Sequence, residues 1–531
     1  MMKRRFLCAI SCCLLTIGIQ AAPPLRSLMP MKSANGTVVT ANAHLMTLSG
    51  EGCCASQAEI GEGNYLQHSG SPRVLTILAA FQDLEFTVNN PAQAFDQYLN
   101  ADRQEDLGNH NQLNVASVRQ YFETCSNGQF SPQFDVVGPV TLPQNMAFYG
   151  GKNKNGSDDK FTEFCQDAMD QAKDLVSDWS QYDNDGDGRI ELVCVIFAGY
   201  GQNQGGADST LWAKASVKNM KLNDKLRITR FNCCSELFYP QYPDFINGTG
   251  VFIHEFSHCM GLPDLYATSS KAYVNNQGME SYSIMDYGLY NYNGFAPCPY
   301  NAWEQEVLGW TEIEDISSMM TDGSYRVCDV LPVIEGGKAF KWVNGNNDRE
   351  YIVMENFQQR GLNIRAMGHG LVVYHVDYPY SAVNMNDSPN NTPGHPAVAI
   401  VPSGGMLISS YLRGGDKPYT RDEWMESLKA SPFPGSQGVT SLTAEMQLPN
   451  YCFYNGSTPM QTGMMLCDIT EDTELGYVSF TVSSEETSVM NKVRWEQDNA
   501  ESPVYDLQGR KIHSPLQPGV YIIHGKKMLV K

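Results

Sequence analysis

A continuous apolar run lies between Arg73 and Phe81 (RVLTILAAF), bounded by Pro72 and Asp83, and predicts a buried strand. A second run, Ile190–Ala198 (IELVCVIFA), predicts another. Between them Ser117–Thr124 (SVRQYFET) has helical spacing with Ser117 as N-cap, and Ser157–Val176 runs amphipathically behind a Ser/Asp cap as a long helix. Phe130–Leu142 is rich in Pro and Val and reads as extended. Strands alternating with helices predict an α/β layered domain. From about Thr311 the texture changes. Short alternating runs such as Tyr351–Met354 and Leu371–Val376 are separated by Gly, Asn and Pro clusters, which predicts an all-β, sandwich-like domain. Glu485–Ser502 is polar and reads as a linker. Val504–Lys531 then carries two strand-like runs around Gly509-Arg510 and Pro518-Gly519, a short β C-terminal module.

The N-terminus adds a targeting segment. Lys3, Arg4 and Arg5 precede an apolar stretch, Phe6–Ile19, too short to span a bilayer comfortably, and Ile19-Gln20-Ala21 resembles a cleavage site. The expected organisation is a signal peptide (1–21), a propeptide (22–70), a catalytic domain (71–312), a β-rich domain (313–485) and a linker with C-terminal module (486–531). The expected location is secreted or at the cell surface, with no integral membrane span in the mature form. The net charge of −21 repels phosphate backbones and argues against nucleic-acid binding. Three of the fifteen cysteines fall in the signal segment. The remaining even number permits disulfides in an exported chain without fixing their connectivity.

The chemistry concentrates in Val251–Asp264 (VFIHEFSHCMGLPD). His254 and His258 are four apart, so a helix sets both imidazoles on one face, and neutral imidazole suits zinc. Glu255 is placed to take a proton from a water that such a metal acidifies. Gly261 ends the helix with positive φ and Pro263 cannot continue it, so the chain turns and Asp264 returns as a third ligand. The spacing H-E-x-x-H-x-x-G-x-x-D resembles the metzincin arrangement, with Asp in place of the usual third His. That resemblance implies that Met285, in Ser283-Ile-Met-Asp-Tyr287, forms the apolar floor of the site, and that Tyr287 donates to the oxyanion. Asp183, Asp185 and Asp187 alternate in DNDGDGRIE and, with Glu191, aim carboxylates at one point, which suits a structural calcium; a solvated acidic turn is the alternative. His375 and Asp377 share a strand face and read as a hydrogen-bonded pair rather than a metal site.

Several blocks together resemble the immune inhibitor A family of secreted bacterial zinc metallopeptidases. They are SVRQYFETCSNGQF, YDNDGDGRIELVCVIFAGYG, HEFSHCMGLPDLY, SIMDYG and NAWEQEVLGW in order, followed by REYIVMENFQQRGLN and GHGLVVYHVDY. The resemblance implies a metzincin-like catalytic domain, a propeptide, protein or peptide substrates, and a β-rich domain after the catalytic one. It supports His254, His258 and Asp264 as zinc ligands and Glu255 as base. The C-terminal segment resembles modules of proteins exported by type nine secretion systems, which implies sorting or surface anchoring. Two rival functions remain at this point: a surface-binding protein on an inactive protease fold, and a zinc amidase acting on cell-wall peptides.

Overall fold

The computed structural model describes residues 65–484, except 154–155, 241, 274–275, 321–322, 379–382 and 409–418, together with a few short backbone strands on either side. The first apolar run is strand β1 (Arg73–Ala80). It lies between β2 (Gln133–Thr141) and β3 (Val193–Tyr200), parallel to both. The sheet continues through β5 (Arg227–Tyr239), parallel to β3, and turns antiparallel at β4 (Lys214–Lys221). The order is therefore β4-β5-β3-β1-β2. On the outer edge of β4 the backbone of Ile19–Ala21 runs antiparallel, with Gln20 opposite Ala215.

The apolar runs are continuous because both sheet faces are covered. Alternate residues of β1 and β3 enter two cores. Val74, Leu78, Cys194 and Ile196 face one, and Leu75, Ile77, Val193, Val195 and Phe197 face the other. Helix α3 (Phe161–Ala172) closes the second core. Helices α1 (Pro91–Asn100), α2 (Val118–Cys125) and α4 (Thr249–Cys259) close the first. Ser117 caps α2 as its sequence suggests, its Oγ accepting from Gln120 N at 3.1 Å.

Two expected elements differ from their boundaries. Helix α3 begins at Phe161, not Ser157, and has no side-chain cap. Asp158, the expected cap, is instead drawn into a buried ion pair with Lys152 and Lys214 and accepts Trp212 N at 3.1 Å. The run from Ile190 is also broken. Arg189–Ile190 pairs with β5 separately, and β3 starts at Val193.

After residue 312 the chain builds β6 (Ser324–Val330), β7 (Phe340–Asn344), β8 (Asn347–Phe357), β9 (Gly370–Asp377), β10 (Val398–Ile400), β11 (Met464–Asp472) and β12 (Tyr477–Ser484). Strands β7-β8-β9-β10 form one sheet and β6-β12-β11 another. A core containing Trp342, Met354, Val373, Leu466 and Phe480 lies between them. This region is not purely β. Helix α6 (Arg421–Lys429) starts at a Thr420/Glu423 capping box, and its Trp424 and Leu428 reach the core beneath α4. The opposite face of the β7-β8-β9-β10 sheet, which Glu314–Asp315 extends at the β7 edge, joins the same core through Val353, Val372, Tyr374 and Val398. One apolar cluster thus runs through both halves of the chain. Residues Tyr65 and Leu66, at the end of the expected propeptide, also pack onto it.

The C-terminal backbone forms four short antiparallel strands, Lys511–Ile512, Val504–Tyr505, Gly519–Ile523 and Lys526–Val530 in spatial order. The expected linker and most of residues 1–64 lie outside the described residues. All ten cysteines among the described residues are free thiols, and seven are buried. No helix among the described residues is long and apolar enough to cross a membrane.

Candidate metal centre

Helix α4 is buried on every side. Its sequence fits that position. A Cβ on Gly250 would lie 1.9 Å from Leu289 O, so only glycine permits this approach. Phe252 and Phe256 pack against Phe134, and Asn232 on β5 donates to Phe252 O at 3.1 Å. The helix stops where expected. Gly261 has φ +106°, and Leu262 N turns back to Ser257 O at 3.1 Å. The chain then returns beside the helix and delivers Asp264. Its Oδ1 lies 3.3 Å from His254 Nε2 and 3.2 Å from His258 Nε2.

The remaining ring nitrogens set the direction of the lone pairs. His254 Nδ1 lies 2.8 Å from Ile284 O and His258 Nδ1 lies 2.7 Å from Leu262 O. A carbonyl only accepts, so each Nδ1 carries the proton and each Nε2 presents a lone pair. Both Nε2 atoms and both Asp264 oxygens are buried without a hydrogen-bond partner. Three acceptors face one another in a dry site with no donor to satisfy them. A cation resolves this arrangement, and the two-nitrogen, one-oxygen set with carbonyl-anchored imidazoles fits zinc. Beside the cluster, Glu255 is buried, and its Oε2 accepts the backbone N–H of Ala215 on β4 at 2.6 Å.

The segment that contains all four residues also matches a known family. Residues 64–310 match the model of the immune inhibitor A peptidase M6 catalytic domain. Pre-pro-metalloprotease PrtV of Vibrio cholerae serotype O1 is 24% identical over 307 residues, covering 50% of this chain and 33% of that protein. Immune inhibitor A of Bacillus thuringiensis subsp. alesti is 26% identical over 200 residues, covering 33% of this chain and 29% of that protein. The chain spans about a third of the length of these relatives.

The turn expected beneath the site is tied to His254 and to the Asp264 loop through its backbone. Ile284 O holds His254, and Met285 O accepts Leu265 N at 2.8 Å, one residue after Asp264. Met285 itself is fully buried. Tyr287 is buried with its ring edge-on to Trp424 and tilted against Tyr290. The turn is held from below by Glu304, which accepts from Ser283 Oγ and reciprocally caps α5 (Ala302–Val307) with Asn301. Burial pushes Glu304 up to about 8. Asn301 and Glu304 have capping-box spacing, but the sequence reading took neither the cap nor the bond to the turn from it. Sequence reasoning also missed the Ala215 amide, because it lies 40 residues from Glu255 on a neighbouring strand.

The acidic loop brings Asp183, Asp185, Asp187 and Glu191 together, with one oxygen from each within 4.8 Å of the others. Gly188 N donates to Asp183, Asp187 N to Asp185, and Arg189 N to Asp187. Glu191 is the buried member; burial pushes it up to about 7. His375 and Asp377 do not pair with each other. His375 meets Glu350 at 3.0 Å, and Asp377 meets His395 at 2.7 Å, because the alternation that aligns them also sets them a full pleat apart.

Proposed function

We propose that the chain is a zinc-dependent endopeptidase in which His254, His258 and Asp264 hold the metal and Glu255 is the general base. The observation that carries this reading is the convergence of three buried, donor-free ligand atoms whose imidazoles are locked in the metal-accepting tautomer. Zinc bound there supplies a Lewis acid that acidifies water and polarises a carbonyl. The protein's own contributions are separate. Glu255, steadied by the Ala215 amide, takes the proton of the attacking water and passes it to the leaving amine. The antiparallel edge of β4 offers backbone groups to an extended peptide, as its pairing with Ile19–Ala21 illustrates. Tyr287 is the proposed donor to the oxyanion; Tyr287→Phe should lower kcat by about 10²-fold with zinc retained.

A calcium ion in the loop from Asp183 to Glu191 would tie the end of the short helical turn Trp179–Tyr182 to β3. One relative is named a pre-pro-metalloprotease, and the basic-apolar start of this chain supports the same order of leader, pro-segment and exported enzyme. The C-terminal strands are proposed to serve sorting or surface anchoring. The direct test is Glu255→Gln. The variant should keep about one zinc per chain and lose peptide hydrolysis, read by mass spectrometry of a mixed peptide library. Hydrolysis near the wild-type rate would remove Glu255 from the mechanism.

A further inference from the structure

The loop that delivers Asp264 is held by residues that lie beyond the matched domain. Between β9 and β10 the chain crosses back over residues 264–278 and binds their backbone. Asn390 is fully buried. Its Nδ2 donates to Leu265 O at 2.6 Å and to Val398 O at 2.8 Å, while its Oδ1 accepts Val398 N at 3.0 Å. Asn391 Oδ1 accepts the amides of Thr268 and Ser269, each at 2.8 Å. Asn276 answers from the loop, donating to Asn390 O and Thr392 O at 2.6 Å each. Ile400 N closes the set on Gly278 O at 3.0 Å.

The two ends of the Leu265 residue therefore have different owners. Its N–H is bound to Met285 O, within the catalytic domain, and its C=O is bound to Asn390, outside it. Asp264 is the preceding residue. Its carboxylate reaches the histidines only if this stretch keeps its path, because two imidazoles on a rigid helix cannot follow a third ligand that drifts. Leu265 is fully buried, so no solvent is at hand to replace a lost partner for its carbonyl.

We propose that Asn390, supported by Asn391, is a positioning residue for the metal: the crossing segment from the β-rich half fixes the third-ligand loop, so the catalytic domain does not hold zinc fully on its own. The inference rests on Asp264 being a ligand. Partners of this kind, one step removed from the metal, change metal affinity by about 10–100-fold when removed.

The experiment measures zinc transfer from the purified full chain to a chromogenic chelator, together with the melting temperature of the zinc-stripped form and kcat and KM on one peptide. Asn390→Ala should release zinc at least tenfold faster and lower kcat more than it raises KM. Asn391→Ala leaves two half-exposed amides that water can reach, so it folds even if Asn390→Ala does not. It should shift zinc release in the same direction by a smaller factor. Asn356→Ala is the matched control. Asn356 is also buried, but it donates to Val330 O on β6 at 2.7 Å and to Gly476 O at 2.8 Å, neither of which belongs to the third-ligand loop. It should lower the melting temperature and leave zinc release unchanged. If the Asn390 and Asn391 variants melt lower yet release zinc at the wild-type rate, the asparagines are structural only and the proposal falls. Asp264→Ala separates the two levels. Zinc retained in that variant overturns the ligand reading itself, whereas zinc lost there but kept in both asparagine variants overturns only the positioning role.

Discussion

Among the described residues two acidic or mixed clusters have the spacing of metal sites, and they are built in opposite ways. At His254, His258 and Asp264 all three side chains are buried, each imidazole is anchored through Nδ1, and the inward atoms have no partner. In the loop from Asp183 to Glu191 two carboxylates are exposed, one is half-buried, and all three aspartates accept amides of the loop. The first cluster is unsatisfied without a cation. The second is largely satisfied as a turn. The difference teaches that convergence of ligand atoms is the weaker sign of a metal site, and that their remaining hydrogen-bonding demand is the stronger one.

The largest effect that sharpens this contrast is expected at Asp264. Asp264→Ala should lose zinc on dialysis against a mild chelator and lose all measurable hydrolysis. Asp264→His should retain part of the metal, since imidazole is also a zinc ligand. Stoichiometric zinc in the alanine variant would place the third ligand elsewhere, with Glu280 and Asp286 as the next buried carboxylates to test.

Calcium gives the next effect. If the loop binds it, a concentration about 100 times Kd contributes about 2.7 kcal/mol, which is roughly 5–10 °C in Tm for a domain of this size. A calcium-selective chelator should remove that increment, and Asp185→Ala should be insensitive to it. A wild-type melting temperature that ignores calcium would leave the solvated turn as the whole account of the loop.

The smallest effect concerns a buried carboxyl that belongs to neither cluster. Burial pushes Glu355 from its ordinary 4.5 up to about 8, against the Ala302 amide that it accepts. The folded state then holds a proton that the unfolded chain has released. The stability this contributes is complete below about pH 4.5 and is lost as pH rises toward 8. The zinc-stripped protein should melt a few degrees lower at pH 8 than at pH 5.5, and Glu355→Gln should flatten that slope. An identical slope in the variant would assign the pH dependence to other groups.

Much of the site was legible in the chain because its determinants are local. The four-residue spacing of His254 and His258, Glu255 beside the first, and Gly261 with Pro263 ahead of Asp264 all act within one helix and its stop. Helix geometry converts such spacing directly into a shared face. The strands Arg73–Ala80 and Val193–Tyr200 were visible for a similar reason, since burial on both faces leaves a continuous apolar run. Errors came where a side chain served a distant partner. Asp158 looks like a helix cap and is an ion-pair partner of Lys214. Thr420 and Glu423 form a capping box in a stretch whose texture reads as β.

By itself, then, the sequence singled out the candidate site residues, because water activation and metal binding depend on residue type at short spacing. It also determined the alternation of strands and helices that puts them on a covered sheet. Only the tertiary structure decided which groups hold those residues in place. The Ala215 amide on Glu255, the Ile284 carbonyl on His254, Glu304 under the methionine turn and Asn390 on Leu265 join positions between 19 and 125 residues apart. Hydrogen bonds of that kind leave no periodic trace in a chain, because any polar residue at the right place in space can make them, and the place is set only when the sheet and the helix have packed.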